Sequence, residues 1–383
     1  MAEKPKIAIL SNFPAWLYTD KLPVFRGHYG VWLVALHEAF AHQDEFEIHW
    51  VVLNKNAAAP LRFTSHGQHI HVLPRMKRNL GLYSLYLWDR RAVAKELALI
   101  KPDLVHSWGT EDCYGLCAKD FRRGVKLHSV QGALRTSVQR ASYPRFVRHH
   151  SLYEPGVWKS IRHITAESPW AISRVREVAP HADVKLFEYA VEERFFQLER
   201  KLAPSPVCIF SGDNAPIKNL NTVIKAFSRP ELSHVTLKLV GVPSSPYPVI
   251  PPDLTPNIIP MGRVNRQEMA ETLASAWALV HMSLADTGPT AVKEARVVGV
   301  PVVLSNECGS CQHVVEGQSG YILNPYDVDG LVRAVLAVTK DAQTAQAMGE
   351  YGREECRRTL SGETMVASLL AIYRELLSSG APA

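Results

Sequence analysis

The 383-residue sequence contains no uninterrupted apolar run approaching the ~18 residues that a membrane-spanning helix needs. After Lys6 only four apolar residues precede Ser11 and Asn12, too few for an export-signal core, so this opening reads as a first buried strand. Cysteine is sparse. Cys113, Cys117, Cys208, Cys308, Cys311 and Cys356 are scattered, and without an export signal they point to reduced thiols and a cytoplasmic setting. Cys308 and Cys311 lack a second Cys/His pair nearby and the histidines form no HExxH pattern, so no metal is expected at the site. No repeat or low-complexity tract is present, and 46% hydrophobic with 21% charged residues excludes a disordered or fibrous chain. At about 150 residues per domain, the length predicts two substantial domains.

Between Phe121 and Tyr153 there is no acidic residue at all. Arg122, Arg123, Lys126, Arg135, Arg140, Arg145 and Arg148 fall there, interleaved with Tyr143, Phe146 and Tyr153. The segment reads either as a solvated basic face or as a peripheral contact with an anionic membrane or phosphorylated lipid. With no zinc finger or RNA-binding motif beside it, no nucleic-acid partner is expected.

Short apolar runs alternate with helical patterns. Lys6–Leu10, Ile48–Leu53, Ile70–Leu73, Leu104–His106, Lys126–Val130 and Ile161–Ala166 predict one set of strands. A second set runs through Val207–Ser211, Val235–Val240, Asn257–Pro260, Ala278–His281, Pro301–Ser305 and Tyr321–Leu323. Strands apolar on both faces and separated by helices imply parallel sheets, an α/β class with two doubly wound domains facing across a cleft. The expected division is 1–190, a charged and proline-containing linker at 191–206, a second domain at 207–361, and a C-terminal helix in 362–383 packing back on a domain.

The most informative stretch runs from Asp286 to Leu304. Gly288 and Pro289 precede a helix beginning near Thr290, and the amides of Thr290, Ala291 and Val292 are expected to face the cleft unpaired, a place for a diphosphate. Many surface helices begin the same way. Glu294 lies one turn further on the same face, where its two oxygens suit the adjacent hydroxyls of a ribose. Gly299 ends the helix before the Pro301–Leu304 run.

This pattern, Asp286-x7-Glu294-Ala295 followed by Gly299 and Pro301-Val302-Val303, resembles the signature of retaining glycosyltransferases of family 4, with the GT-B fold of two Rossmann-like domains. Phe210 to Leu220, Leu239-Val-Gly241, Ile259 to Gly262 and Val315 to Leu323 resemble the family's donor domain, and Pro102 to His106 and Tyr189 to Phe195 its acceptor strand and hinge. The resemblance implies transfer of a sugar from a nucleoside-diphosphate sugar to a hydroxyl on a glycan or lipid-linked acceptor, without cofactor or metal. It implies that Glu294 holds the ribose, Asp286 the transferred sugar and Lys218 the leaving diphosphate. Donor contacts are expected at Gly27, Gly30, Gly212, Gly241, Gly262, Gly288, Thr290, Ala291 and Val292. Departures are an Asp at 286 where Glu is usual, Asp213 in an arginine's place, and Gln131-Gly132 for His-Gly.

On the acceptor side, His106, Trp108 and Glu111 follow a predicted strand and read either as sugar contacts or as a capped loop, with Gln131 beside them as a hydrogen-bonding group. His28 and His281 lie near the expected cleft edges, and Asp327-Val-Asp329 reads as a helix cap. Rival functions are a non-catalytic nucleotide-sugar-binding module, a nucleotide-sugar epimerase, and a phosphorylase-like enzyme. No GxGxxG follows the first strand, which disfavours an NAD oxidoreductase.

Overall fold

The computed structural model describes residues 3–24, 30–76, 78–243 and 254–379. Its first sheet contains β1 (Lys6–Leu10), β2 (Glu47–Asn54), β3 (Leu61–Ser65), β4 (Gln68–Pro74), β5 (Leu104–Trp108), β6 (Val125–Val130), β7 (His163–Ala166) and β8 (Asp183–Leu186). Their order is β3-β4-β2-β1-β5-β6-β7-β8, parallel except for the β3–β4 pair. The second sheet contains β9 (Val207–Ser211), β10 (Thr236–Val240), β11 (Ile258–Gly262), β12 (Ala278–His281), β13 (Val302–Ser305) and β14 (Gly320–Leu323). It runs β11-β10-β9-β12-β13-β14 and is parallel throughout. These are the two doubly wound sheets of the GT-B architecture.

Strand β1 explains why such runs are buried on both faces. Ile7 and Ile9 join a core with Trp50, Leu36 and Phe40, while Ala8 and Leu10 join another with Val105 and Tyr114. Strand order reverses beside β1 and again beside β9, and loops leaving neighbouring carboxyl ends diverge there and open a crevice.

Helix Gly362–Ser378 is started by Ser361, whose side chain accepts the Thr364 amide. Its Met365, Leu369, Tyr373 and Leu376 are buried in the core of the first sheet. This helix therefore covers the first sheet, its apolar stripe completing that sheet's core.

The structure adds two strands that the hydrophobic pattern does not announce, β3 and β8. Both are edge strands, and β3 has no fully buried residue, so neither carries an apolar run. The chain from Ala342 forms two helices, Ala342–Glu350 and Arg353–Thr359, divided where Gly352 takes φ +69°.

Candidate active site

Loops from the two sheets face each other across a pocket of about 280 Å³. The second sheet contributes Asp213, Ala215, Ile217 and Lys218 after β9, and Ala285, Asp286 and Thr287 after β12. Gln131, Gly132, Ala133, Ser137, Tyr143 and Trp170 line the other wall. The halves are tied directly: Ser168 Oγ donates to the Thr287 carbonyl at 2.6 Å, and Thr287 Oγ1 donates to the Gln131 carbonyl at 2.8 Å.

Lys218 ends a single 3₁₀ turn, Pro216–Lys218. The following residue, Asn219, takes φ +54° and donates its side-chain amide to the carbonyls of Met282 and Pro325, pinning the loop to its neighbours. Lys218 Nζ thereby reaches Asp286 Oδ2 at 2.7 Å. The same oxygen lies 3.1 Å from His281 Nε2. Burial alone pushes the Asp286 carboxyl up, but the Lys218 ammonium and the His281 contact outweigh it and hold the group well below the usual carboxylate range. Burial lowers the His281 imidazole, keeping the ring neutral near pH 7 and making Nε2–H the donor to the carboxylate.

Helix Thr290–Val298 starts after Pro289 without a side-chain cap. The expectation of three unpaired amides needs one correction: Val292 donates its amide to the Pro289 carbonyl at 3.0 Å, tightening the first turn. Thr290 and Ala291 occupy the two positions before it. Inside the helix Glu294 is 1% exposed and ion-paired with Arg266 Nη2, while Arg266 Nε donates to Glu192 Oε2 at 2.6 Å. Arg266 opens a helix whose start is fixed by a capping box between Asn265 and Glu268. Burial pushes Glu294 up to about 7 against the opposing pull of Arg266. A second pair joins the two halves: Lys293 Nζ meets Glu167 Oε2 at 2.6 Å and the Tyr189 carbonyl at 3.1 Å, with both side chains almost fully enclosed.

The glycines expected at the donor site separate. Gly212 follows β9 directly. A Cβ on Gly241 would stand 2.4 Å from the Gly212 carbonyl oxygen, so Gly241 serves close packing of strand ends. Gly262 hydrogen-bonds the same turn, donating to the Val242 carbonyl. Gly288 leaves room for Glu167, whose carboxyl carbon would lie 2.5 Å from an added Cβ. Gly30 is the N-cap of helix Val31–Ala39, whereas Gly27 and His28 lie outside the described residues.

The acceptor-side expectations are corrected at two positions. His106 is wholly buried, its ring bridging Tyr373 Oη at 2.8 Å and Ser129 Oγ at 2.7 Å. Trp108 is 2% exposed, stacks on His106 and donates Nε1–H to Tyr189 Oη at 2.9 Å. His106 is covered because the C-terminal helix closes over it through Tyr373, and Trp108 is enclosed by His106, Phe187 and Tyr189. Glu111 lies against Gly109 and Gly132, one oxygen buried without a hydrogen-bond partner, and burial pushes it up to about 8. Gln131 lines the pocket. Within the basic segment Arg140 turns inward to the Leu284 carbonyl and Glu307, while Arg122, Arg123, Arg145 and Arg148 are exposed. Asp327 caps helix Val328–Val338 through the Gly330 amide.

Sequence reading missed Arg266, Glu192, Glu167 and Lys293. One signal was available: helix Thr290–Val298 is buried from Val292 onward, yet carries Lys293, Glu294 and Arg296. Three charges on a helix without a solvent face each require a buried partner.

Residues 191–355 match the family described as glycosyl transferases group 1. The match covers less than half of the chain and lies over its second sheet. Among curated relatives, N-acetyl-alpha-D-glucosaminyl L-malate synthase of Bacillus anthracis is 24% identical over 228 residues, 56% of this chain and 60% of that protein. A GDP-mannose-dependent monoacylated alpha-(1-6)-phosphatidylinositol monomannoside mannosyltransferase of Corynebacterium glutamicum is 27% identical over 206 residues, 50% of this chain and 54% of its own. The chain thus spans between half and two thirds of those relatives' lengths. Among solved structures, sucrose-phosphate synthase from Thermosynechococcus elongatus superposes with a TM-score of 0.78 at 16% identity, covering 98% of this chain and all of that one. Anabaena HepE, solved in complex with UDP-glucose, gives 0.68 at 15% identity over 97% of this chain and all of its own.

Proposed function

We propose that this chain is a group 1 glycosyltransferase, a retaining, metal-independent hexosyltransferase of the family 4 type, moving a sugar from a nucleoside diphosphate to a hydroxyl of a glycan or lipid-linked acceptor. The observation that carries the reading is the Lys218–Asp286 pair at 2.7 Å on the pocket wall, adjoining the start of helix Thr290–Val298. In this reading the diphosphate lies between the Lys218 ammonium and the amides of Thr290 and Ala291. Those groups meet the negative charge that grows as the glycosyl–oxygen bond breaks, and stabilise the transition state more than the bound donor. Asp286, held ionised, accepts from hydroxyls of the transferred sugar. Glu294 exchanges its contact with Arg266 for the ribose hydroxyls.

The acceptor hydroxyl approaches the anomeric carbon from the side the diphosphate leaves. A new carbon–oxygen bond forms as the old one breaks, and the acceptor proton passes to the departing phosphate oxygen. Support for this front-face route is that Asp286 is already engaged with Lys218 and His281, leaving the leaving group as the base at hand. Exposed Arg145, Arg148 and Phe146 support a peripheral contact with anionic lipid through residues 121–153, and six unpaired thiols support a cytoplasmic setting.

The test is nucleoside-diphosphate release across a panel of uridine, guanosine and adenosine diphosphate sugars with hydroxyl acceptors, run with and without EDTA. Acceptor-dependent release that survives EDTA, with product of unchanged anomeric configuration, is the expected result. Binding without turnover assigns a recognition module, and acceptor-free conversion of the donor assigns an epimerase.

A further inference from the structure

The β2–β4 edge of the first sheet carries a second cluster of chemistry-bearing side chains. In register, His49 pairs with His69 across the two parallel strands, and the rings stack with centroids 4.7 Å apart. Glu47 Oε1 lies 2.8 Å from His49 Nε2 and 3.6 Å from His69 Nε2, and one donor atom from each residue falls within 4.8 Å of the other two. The cluster sits toward the amino-terminal ends of the strands, whereas the pocket opens at the carboxyl ends.

A second observation concerns the groups behind the cluster. His49 Nδ1 lies 3.0 Å from His71 Nε2, and His71 Nδ1 lies 2.7 Å from Glu96 Oε1, which Arg62 anchors through two bonds of 2.7 Å. The His49 ring is thus oriented from behind by a histidine and a carboxylate, the kind of outer-shell support that fixes a metal-bound imidazole.

We propose that Glu47, His49 and His69 form a binding site for a divalent transition-metal ion of the zinc class, clipping β2 to β4 away from the sugar-transfer pocket. Two imidazole nitrogens and one carboxylate oxygen form a borderline donor set that leaves a fourth position for water. Zinc bonds of about 2.0–2.2 Å place tetrahedral donors about 3.3 Å apart, so the 2.8 Å contact opens and the 3.6 Å contact closes by a few tenths of an ångström, while the exposed His69 ring turns out of its stack on His49 to aim Nε2 at the ion. The His69 side chain is 43% exposed and that of Glu47 33%, giving the ion an approach from solvent. Lys6, in register with Glu47, is held by Glu3 at 3.0 Å.

The experiment is calorimetric titration of zinc chloride into the full chain, untagged and stripped with chelator, in the absence of any nucleotide sugar. One ion per chain with Kd of about 1 μM or tighter is expected, weakened at least about tenfold in both His69→Ala and Glu47→Gln. His69 is exposed enough that its truncation leaves the fold intact, and circular dichroism checks this. Cobalt substitution should give weak visible bands without the intense thiolate charge-transfer absorption. Absence of binding, unchanged affinity in either variant, or a thiolate band placing the ion on the cysteines each overturns the proposal. None of these outcomes bears on sugar transfer, which is read by nucleotide release.

Discussion

Lys218 Nζ sits 2.7 Å from Asp286 Oδ2, joining the loops after β9 and β12 into one charged unit at the pocket. Without a donor, the cation proposed for the diphosphate and the carboxylate proposed for the sugar satisfy each other. A bound donor would separate their tasks without moving either loop.

That pairing sets the outcome of substituting Lys218. Lys218→Ala should lower kcat by about 10²–10³, the range for losing one fixed donor to developing negative charge, with a smaller effect on donor affinity. The abandoned Asp286 side chain is only 13% exposed and keeps its His281 contact, so the stability cost should reach about 3 kcal/mol. Adding Asp286→Asn should restore the melting temperature but not the rate. Urea denaturation beside single-turnover kinetics separates the two, and an unchanged chemical step in Lys218→Ala removes it from the leaving-group role.

Glu294 gives a pH prediction. Its burial raises the carboxyl to about 7, and only the ionised form accepts from two ribose hydroxyls. Below pH 7 the proton competes with the donor, and above it the carboxylate is ready. Donor kcat/KM should therefore climb with pH through about 7 and level off on the alkaline side. In Glu294→Gln the profile should be flat and low. A wild-type rise centred near the ordinary Glu value of about 4.3 contradicts the assignment.

The buried Lys293–Glu167 pair is a stability prediction rather than a kinetic one. Side-chain exposures of 3% and 4% leave no solvent to screen a lone charge. Lys293→Met should cost about 3–5 kcal/mol, while Lys293→Met with Glu167→Gln should recover much of it, because the penalty lies in the unpaired carboxylate. Chemical denaturation of wild type, single and double variants measures this.

What the sequence disclosed depended on how local the signal was. Val207–Ser211 and Thr290–Val298 match the expected elements residue for residue, because an apolar run between breakers and a proline start need no distant partner. Arg266 could not be paired with Glu294 in advance, since the two lie 28 residues apart on different helices and nothing local distinguishes Arg266 from a solvated arginine. His106 failed for a related reason. A histidine ending an apolar run before Trp108 reads alike whether the strand end is open or covered, and its cover, Tyr373, comes 267 residues later.

The enclosure of Trp108 separates fold from acceptor recognition. Trp108→Phe removes the Nε1–H bond to Tyr189 Oη at 2.9 Å and leaves that buried oxygen short of a donor, a loss of about 1–3 kcal/mol. Tyr189 still donates to the Val130 carbonyl at 2.8 Å, so the wall behind the pocket holds its shape. The acceptor KM should therefore stay within about twofold while the melting temperature falls. Tyr143→Ala, on the pocket wall itself, should raise KM, with a stability cost of its own because Tyr143 packs on the cluster of Ala215, Ile217, Leu284 and Ala285. If Trp108→Phe raised the acceptor KM as much as Tyr143→Ala does, the buried tryptophan would have to become part of the acceptor surface when substrate binds.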